Sequence, residues 1–490
     1  MTKKWSIIIV LVLSLVIVFN VSNVSNVYAN QLSLASPTAI LIDSEDGQVL
    51  YEKFADVQRP IASTSKIMTY ILVMESVYNG DIRLSDKVRI SKKASDTKGT
   101  SYQLKEKDAV SVNELLQSMM IISANDSAVA LAEHVGGSVD NFVKMMNGKA
   151  KSLGLSSSYF VNPTGLPQDN GDQNHMTAKE LAKLYSYGLS QYPNHLIPMV
   201  SKEEFYGTYK TFRSKNTNIL LSTTTYIKGM KTGFTNAAGY CLVSISRVKG
   251  SNTKWLIGVV LGSNTSDIRF EESKKLIDYG LENYLDQIVV RKGDLLDYLE
   301  VEIENDRIPI EITADATKSV VVHRNRRLAK NKVLIKNIPQ QDQIVSNLIN
   351  QEQMIGRLLL TNGMEIEVPI RFNRGITVII NGDQMNFKSA YPKIIDGRTY
   401  ISIRDFSETF NLLLEWEQSS QSIQLKNDEK SIRLITNDKR AYIEDIEIML
   451  EEGPLLIEDR LMVPLRLITE IFNAHVQWNQ EQRTINITIR

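Results

Sequence analysis

At 490 residues the chain is long enough for about three domains of ordinary size. Hydrophobic residues make up 43% of it and charged residues 23%, which excludes a disordered chain, a collagen-like chain and a multi-span membrane protein. The charges of the 56 basic and 56 acidic residues cancel, so no basic surplus favours binding to nucleic acid, and we expect no nucleic-acid partner.

The first 29 residues have the layout of a secretory signal peptide. Lys3 and Lys4 form a positive segment, residues 7–19 are apolar except for Ser14, and small residues lead to a cleavage site near Ala29. An apolar run of this length is short for crossing a bilayer, although an uncleaved anchor is the alternative. We therefore expect an exported protein whose mature chain begins near residue 30.

From residue 30 to residue 286 the pattern mixes strands and helices. Two short apolar runs flank Asp46 and Gly47, and this pair predicts a hairpin because glycine supplies the positive φ of a tight turn. Apolar residues at helical spacing predict helices, and β-branched runs predict adjacent strands. The predicted helices are 62–78, 112–122, 126–135, 178–189 and 268–284, and the predicted adjacent strands are 240–247 and 254–261.

The sequence pattern changes twice after residue 286. Short alternating runs punctuated by glycine predict a small all-β domain over residues 287–373, arranged as a sandwich. Residues 374–490 contain an internal repeat, in which Pro392, Arg398, Arg404, Phe410 and Trp416 recur 62 positions later as Pro454, Arg460, Arg466, Phe472 and Trp478. Each copy reads as strand, strand, short helix, strand, strand, so we expect a duplicated α+β domain. We expect its two tryptophans in the repeat core rather than as platforms for sugars.

The first motif with chemical content is Ser63-x-x-Lys66, which opens the helix predicted at 62–78. Residues three apart share a helical face, so the hydroxyl and the amine can meet. A lysine can serve as the base for a serine nucleophile only when burial or a neighbouring cation lowers its pKa. Alone the motif is weak, because a solvated surface pair explains most such spacings and the chain contains several others.

Two further motifs follow in order. Ser123 and Asn125 lie at a turn between two predicted helices, where the alternative role is an ordinary helix cap. Lys231, Thr232 and Gly233 precede a predicted strand, where a cation, a hydroxyl and a close backbone approach suit a peptide carboxylate. A hairpin turn with a surface lysine is the alternative there. The ordered set is the signature of active-site serine penicillin-interacting enzymes.

The flanking residues sharpen this interpretation. Segments 61–69, 123–128, 160–166 and 231–239 closely resemble the D-alanyl-D-alanine carboxypeptidases, the low-molecular-mass penicillin-binding proteins. The resemblance covers about residues 32–285. It implies a multi-domain protein with an α/β (α+β) penicillin-binding/β-lactamase-like catalytic domain over residues 30–286, followed by that family's β-rich companion domain.

The resemblance also implies roles for single residues. Ser63 would be the nucleophile, Lys66 its base and Ser123 a proton shuttle to the leaving amine. Asn125 would orient the substrate amide, and Lys231, Thr232 and Gly233 would bind the terminal carboxylate and admit the substrate. The backbone N–H groups of Ser63 and Phe234 would form the oxyanion hole. His175 is expected to be structural, fixing the loop before a helix.

The activity implied is removal of the terminal D-Ala from peptidoglycan stem peptides, with β-lactams as covalent inhibitors. The protein would then be extracellular, in the cell wall or at the outer face of the cytoplasmic membrane of a bacterium. A class A β-lactamase is disfavoured because residues 159–177 contain no glutamate to activate the deacylating water. A D,D-endopeptidase would use the same residues, and a catalytically silent wall-binding protein is the third alternative.

Residues 378–382 and 396–404, together with the repeat, resemble a copper amine oxidase N-terminal-like domain. Copper is not expected there, since His475 is the region's one histidine and the chain's single cysteine, Cys241, lies outside it. We expect no cofactor and no metal elsewhere either, because a single cysteine and five scattered histidines give no ligand spacing. For residues 374–490 the hypothesis is a wall or protein partner.

Overall fold

The computed structural model describes residues 32–303, 306–326, 328, 330–334, 354–361, 363–426, 431–444, 446–457, 460–467 and 474–489. The expected signal peptide and Phe472 therefore lie outside the described residues. The chain forms two compact units with a multi-domain α+β fold. The first unit is Met1–Asp286 with Val321–Asn325, and the second is Gln287–Val320 with Arg326–Arg490.

A five-stranded antiparallel sheet forms the centre of the first unit. Its strand order is Val49–Lys53, Thr38–Asp43, Trp255–Ser263, Gly239–Arg247 and Ile227–Thr235. The predicted hairpin is confirmed, with Gly47 at φ +68° in its turn. The predicted adjacent strands at 240–247 and 254–261 are also confirmed as an antiparallel pair. The strand Ile227–Thr235 lies at the edge of this sheet, so one of its sides has no neighbouring strand of the sheet.

Helices cover both faces of this sheet region, and short strand pairs connect them. The helices are Lys66–Tyr78, Lys92–Ser95, Val112–Ile121, Asn125–Gly136, Val139–Ser152, Ala178–Gln191, Pro193–Val200, Leu220–Thr223 and Ser266–Asn283. The short strands are Arg59–Pro60, Lys87–Arg89, Ala109–Ser111, His175–Met176, Glu204–Gly207 and Phe212–Lys215. The helices that begin at Val139 and Pro193 were not predicted. No helix among the described residues is both long and apolar enough to cross a membrane.

The helix Lys66–Tyr78 lies at the centre of the first unit. Most of its residues are buried, including Ile67, Ile71 and Met74, and it packs against several other helices. A helix that is apolar on nearly every side belongs in a core rather than at a surface. One turn of 3-10 helix, Ala62–Ser65, precedes it, so the first motif lies where the chain enters the most buried part of the unit.

The second unit begins at Gln287 with an all-β part. A two-stranded sheet pairs Tyr284–Val290 with Lys318–His323, and its residues 284–286 and 321–323 belong to the first unit. A five-stranded antiparallel sheet has the order Leu295–Ile303, Asp306–Ala314, Glu365–Arg374, Met354–Leu360 and Lys330–Leu334. Its core side chains include Ile310, Leu358 and Val368, which are fully buried.

In the repeat domain, residues 374–490, the first copy has all five predicted elements and the second copy has its four predicted strands, while most of the second copy's predicted helix lies outside the described residues. The first copy is Lys393–Ile395, Arg398–Ser402, helix Ile403–Thr409, Leu413–Glu417 and Ser422–Lys426. The strands of the second copy are Leu455–Ile457, Arg460–Pro464, His475–Asn479 and Thr484–Thr488. The remaining strands are Thr377–Ile380, Asp383–Gln384, Ser431–Ile435, Arg440–Ile443 and Ile446–Met449.

The two copies meet around a local two-fold axis. Ile401 pairs antiparallel with Val463, its own counterpart 62 positions later, and Tyr400 and Ser402 pair with Pro464 and Met462. Each of these strands therefore pairs with its own counterpart in the other copy, as expected for a duplicated sequence arranged with two-fold symmetry.

One expectation about the repeat is wrong. The side chains of Trp416 and Trp478 are 45% and 41% exposed, so neither belongs to the repeat core. Both lie on edge strands, Leu413–Glu417 and His475–Asn479, whose outer sides carry no further strand of their sheets.

Candidate active site

The nucleophile turn, Ala62–Ser65, brings the first motif together. Lys66 begins the following helix, and its Nζ lies 2.8 Å from Ser63 Oγ, as the three-residue spacing predicts. Tyr185 donates its hydroxyl proton to the Thr64 carbonyl at 3.0 Å and so holds the turn from a neighbouring helix. Ala62 has φ +47°, a left-handed conformation that is strained for alanine. Such strain persists only where surrounding contacts impose it, and it often marks a functional site.

Lys66 is fully buried and makes three polar contacts. Its Nζ lies 2.8 Å from Ser63 Oγ, 2.7 Å from Asn125 Oδ1 and 2.7 Å from the Thr164 carbonyl oxygen. Burial lowers the pKa of Lys66 well below its usual range, the positive charge of Lys231 lowers it further, and Asp126 opposes both effects. The neutral form of the Lys66 amine is thereby favoured, and the lone pair of that form can accept the Ser63 proton.

The loop that contains Thr164 supplies the carbonyl oxygen that contacts Lys66. Asn162 Oδ1 accepts hydrogen bonds from the backbone N–H groups of Thr164 and Gly165, at 3.1 and 2.7 Å, and so fixes the loop. Gly165 has φ +81°, and a Cβ there would lie 2.1 Å from the carbonyl oxygen of Ala62. The loop can approach the nucleophile turn this closely only because residue 165 is glycine.

The second motif contributes one direct contact. Besides accepting from Lys66, Asn125 donates its Nδ2 to the Lys98 carbonyl at 2.9 Å, so both ends of its amide are engaged. The helix Asn125–Gly136 has no side-chain cap at its N-terminus, so the alternative of an ordinary cap is wrong. Ser123 is buried with φ +68°, and none of the hydrogen bonds recorded among the described residues involves its hydroxyl.

The third motif lies on the edge strand Ile227–Thr235. Lys231 is 1% exposed, so the alternative of a surface lysine is wrong. Burial, and then the charge of Arg269, lowers the pKa of Lys231 to about 7. Lys231 Nζ donates to the Thr232 carbonyl at 2.9 Å, and a Cβ on Gly233 would lie 3.1 Å from the Ser63 nitrogen. Glycine therefore lets the edge strand lie against the backbone of the nucleophile turn.

Sequence reasoning missed two contributors to this site. The Thr232 hydroxyl donates to Thr217 Oγ1 at 2.7 Å, and Thr217 belongs to no motif. The Thr164 carbonyl reaches Lys66 from 98 positions away, and segment 160–166 was singled out only by resemblance. Neither contact has a local sequence signal, since both depend on how distant loops pack.

His175 and the expected absence of metal ligands lie outside these three motifs. His175 lies in a short strand paired with Arg59–Pro60, and its Nδ1 donates to the Gln173 carbonyl at 2.7 Å. This contact fits the expected structural role. Among the described residues, no group of three or more His, Cys, Asp and Glu side chains is arranged to hold a metal ion.

Two family profiles match the chain. One, described as D-alanyl-D-alanine carboxypeptidase, matches residues 25–265, and the other, described as copper amine oxidase N-terminal domain, matches residues 379–487. The chain is 32% identical over 346 residues to the D-alanyl-D-alanine carboxypeptidase DacF of Bacillus subtilis, covering 69% of this chain and 84% of that protein.

A second relative is named for a different activity. The chain is 35% identical over 254 residues to the D-alanyl-D-alanine endopeptidase of Escherichia coli, covering 51% of this chain and 78% of that protein. Among solved structures, penicillin binding protein 5 from Haemophilus influenzae matches with a TM-score of 0.58 and 26% identity. That match covers 70% of this chain and 97% of the other.

Proposed function

Because the chain belongs to the D-alanyl-D-alanine carboxypeptidase family of serine peptidases, we propose that it removes the terminal D-Ala from peptidoglycan pentapeptide stems through an acyl-enzyme on Ser63. The contact of 2.8 Å between Lys66 Nζ and Ser63 Oγ carries this proposal. A serine hydroxyl becomes an effective nucleophile only when an adjacent base takes its proton. Lys66 is suited to that role because burial lowers its pKa.

In the proposed acylation, neutral Lys66 takes the proton of Ser63 Oγ as the oxygen attacks the carbonyl carbon of the penultimate D-Ala. The new C–O bond places negative charge on the former carbonyl oxygen, which the backbone N–H groups of Ser63 and Phe234 would stabilise. When the C–N bond breaks, the proton passes from Lys66 to the leaving amine, and the Ser123 hydroxyl is the proposed relay.

Binding and deacylation use the same pocket. The terminal carboxylate of the substrate would meet the Lys231 ammonium and the Thr232 hydroxyl at the edge strand, so that the peptide lies along Ile227–Thr235. After D-Ala leaves, water attacks the ester carbon and Lys66 takes one of the water protons. The ester C–O bond then breaks, and Lys66 returns that proton to Ser63 Oγ, which restores the hydroxyl. A β-lactam would acylate Ser63 by the same first step and remain attached.

We also propose a location and a domain organisation for this activity. A signal peptide over residues 1–29 would export the chain to the extracellular side, the cell wall or the outer face of the cytoplasmic membrane. The catalytic domain would be residues 30–286, the β-rich companion domain 287–373, and the repeat domain 374–490. The repeat domain is the proposed contact with the wall or with a protein partner.

A second candidate is a D,D-endopeptidase acting on cross-linked muropeptides. The similarity to the endopeptidase of Escherichia coli favours keeping it. The same Ser63 and Lys66 would cleave a D-Ala bond whose leaving amine belongs to another stem peptide. A chain with no activity and only wall binding is disfavoured, because a buried, hydrogen-bonded lysine beside the serine is costly to retain without a use.

The test uses purified residues 30–490 with a fluorescent penicillin and, separately, a muramyl pentapeptide. Wild type is compared with Ser63→Ala and with Ser95→Ala, which alters a half-buried serine in another Ser-x-x-Lys segment. We expect covalent label and D-Ala release in wild type and Ser95→Ala, and neither in Ser63→Ala. Label without release would indicate the endopeptidase, and its substrate would then be a cross-linked dimer. Absence of both in wild type would refute a catalytic role.

A further inference from the structure

The repeat domain contains a groove of about 930 Å³ that the proposed mechanism does not use. Apolar side chains line part of it, among them Leu450, Leu465, Leu467 and Ile485, all of which are buried residues of the repeat core. A volume of this size is within the range of ligand sites, which is roughly 300–1,000 Å³. The groove is therefore partly apolar. Its residues belong to the repeat domain and not to the part of the chain that contains Ser63.

Trp478 is one of the residues that line this groove. The residue is 41% exposed, and its indole Nε1 donates to Gln480 Oε1 at 2.7 Å. Because the one polar atom of the indole is already satisfied, the part of the ring left for a ligand is its apolar face. Such a face suits a flat, weakly polar surface, such as the C–H side of a sugar ring.

Most charged groups among the described lining residues pair with one another, and Arg483 pairs with Glu311 outside the groove. Arg398 lies 3.6 Å from Glu451 and 3.2 Å from Glu452, and Arg466 lies 3.5 Å from Glu451. Paired charges do not attract an ionic ligand strongly, but a guanidinium and a carboxylate at a solvent-exposed rim still donate to and accept from hydroxyl and amide groups. The charge pattern therefore complements a neutral ligand rich in hydrogen-bonding groups.

The charge of the whole domain points the same way. Residues 376–490 contain 18 acidic and 13 basic residues, so the domain repels polyanions such as nucleic acids and phosphate-rich polymers. An apolar ring face beside a neutral, hydrogen-bonding rim matches a chain of N-acetylated sugars, which present C–H faces flanked by hydroxyl and acetamido groups.

We propose that this groove binds the glycan strand of peptidoglycan, with one N-acetylhexosamine ring stacked on Trp478 and its polar groups bonded to Arg398, Glu451 and Glu452. The choice of polymer rests on the proposed function, since the stem peptides are carried by that glycan. The glycan would keep the catalytic unit beside its substrate, because tethering raises the local concentration of stem peptides.

The repeat supplies a matched control for the test. Trp416 is the counterpart of Trp478 at the 62-residue offset, is 45% exposed, and donates its Nε1 to Gln418 at 3.0 Å. It does not line the groove. Trp416→Ala and Trp478→Ala therefore each remove a similarly exposed indole from an edge strand, but only Trp478→Ala alters the groove.

The experiment measures binding of purified residues 30–490 to a soluble N-acetylglucosamine hexamer, which is neutral, and to glycan strands that an amidase has stripped of peptides. Because stripping leaves a carboxylate on every lactyl group, the strands are measured at a salt concentration high enough to screen their charge. We expect Trp478→Ala to weaken binding about tenfold, Arg398→Ala to weaken it, and Trp416→Ala to leave it unchanged. Circular dichroism of each variant confirms folding.

Two results would overturn the proposal. One is that wild type binds intact wall but neither stripped glycan nor the hexamer, which would mean that peptides or a protein are the ligand. The other is equal weakening by the two tryptophan variants. Stripped glycan carries no D-Ala, so the result does not depend on the proposed catalytic activity, and D-Ala release from a soluble pentapeptide by Trp478→Ala tests that separately.

Discussion

Two buried lysines with opposite requirements set the expected pH dependence of the reaction. Lys66 must be neutral to accept a proton, whereas Lys231 must be charged to attract a carboxylate. Burial lowers both pKa values, that of Lys231 to about 7. We therefore predict that kcat/KM rises with pH as Lys66 loses its proton and falls above about pH 7 as Lys231 loses its own. A bound carboxylate raises the pKa of Lys231, so the fall in kcat should come at higher pH than the fall in kcat/KM.

The matched variants are Lys231→Arg and Lys228→Arg, which alter the same strand. A guanidinium keeps its charge to much higher pH, so Lys231→Arg should move the falling limb upward even if activity drops. Lys228 donates its Nζ to the Thr225 carbonyl at 3.2 Å on the exposed side, and its variant should leave both limbs in place. A falling limb that does not move in Lys231→Arg would assign it to another group.

Thr217 is the residue whose role could be learned only from the structure. Its hydroxyl oxygen accepts from Thr232 at 2.7 Å. When Thr232 donates its one proton to the substrate carboxylate, the Thr217 hydroxyl can donate to Thr232 Oγ1 instead and so hold that hydroxyl in place. We predict that Thr217→Val raises KM about fivefold with little change in kcat, which is the effect of one hydrogen bond. Thr217→Ser retains the acceptor and should behave like wild type. Equal losses in kcat for both variants would indicate a packing role instead.

At the scale of elements, the loop that carries Thr164 determines where Lys66 is held. Gly165→Ala would drive a Cβ to 2.1 Å from the Ala62 carbonyl oxygen and displace the loop. We predict that acylation by a fluorescent penicillin slows about a hundredfold, because small displacements of a catalytic group are costly. Gly154→Ala is the control, since Gly154 has φ +67° but a Cβ there would meet only Lys183 Nζ, at an ordinary contact distance of 3.7 Å. Similar slowing in both would mean that backbone strain alone is responsible.

The elements differ in how far the sequence could predict them. Ser63 and Lys66 were predicted to meet because their contact depends only on local helical spacing. The helix Val139–Ser152 was missed although Phe142, Met146 and Ala150, its buried residues, recur every four positions. The remaining residues of that helix are largely polar, which weakened the pattern. The Thr164 and Thr217 contacts could not be predicted, because they join segments distant in the chain.

Exposure at the tryptophans was mispredicted for a related reason. A repeated large aromatic residue usually belongs to the core of a duplicated fold. Here Trp416 and Trp478 instead occupy edge strands, and sequence alternation does not distinguish an edge strand from a central one. The repeat predicted the element order of the first copy and the strands of the second, but it did not predict that these two side chains are exposed.

At the scale of the whole molecule, the first unit is not one continuous stretch of sequence. The chain leaves it at Asp286 and returns for Val321–Asn325. Val321 is fully buried in a cluster with Leu276 and Ile277 of the first unit, and His323 packs edge-on against Tyr284. A fragment cut at the predicted boundary of residue 286 would lack these contacts.

This arrangement predicts which unit a mutation will destabilise. In the full chain, Val321→Ala should cost about 2 kcal/mol and lower the melting temperature of the first unit by about 5 °C. Circular dichroism at a helical wavelength reports that unit, because the described helices of eight or more residues all lie in it. Val368→Ala, at an equally buried position in the second unit, should leave the helical transition unchanged. If Val321→Ala lowers only the strand transition, then residues 321–325 contribute to the second unit, and a fragment ending at residue 286 should melt like the intact first unit.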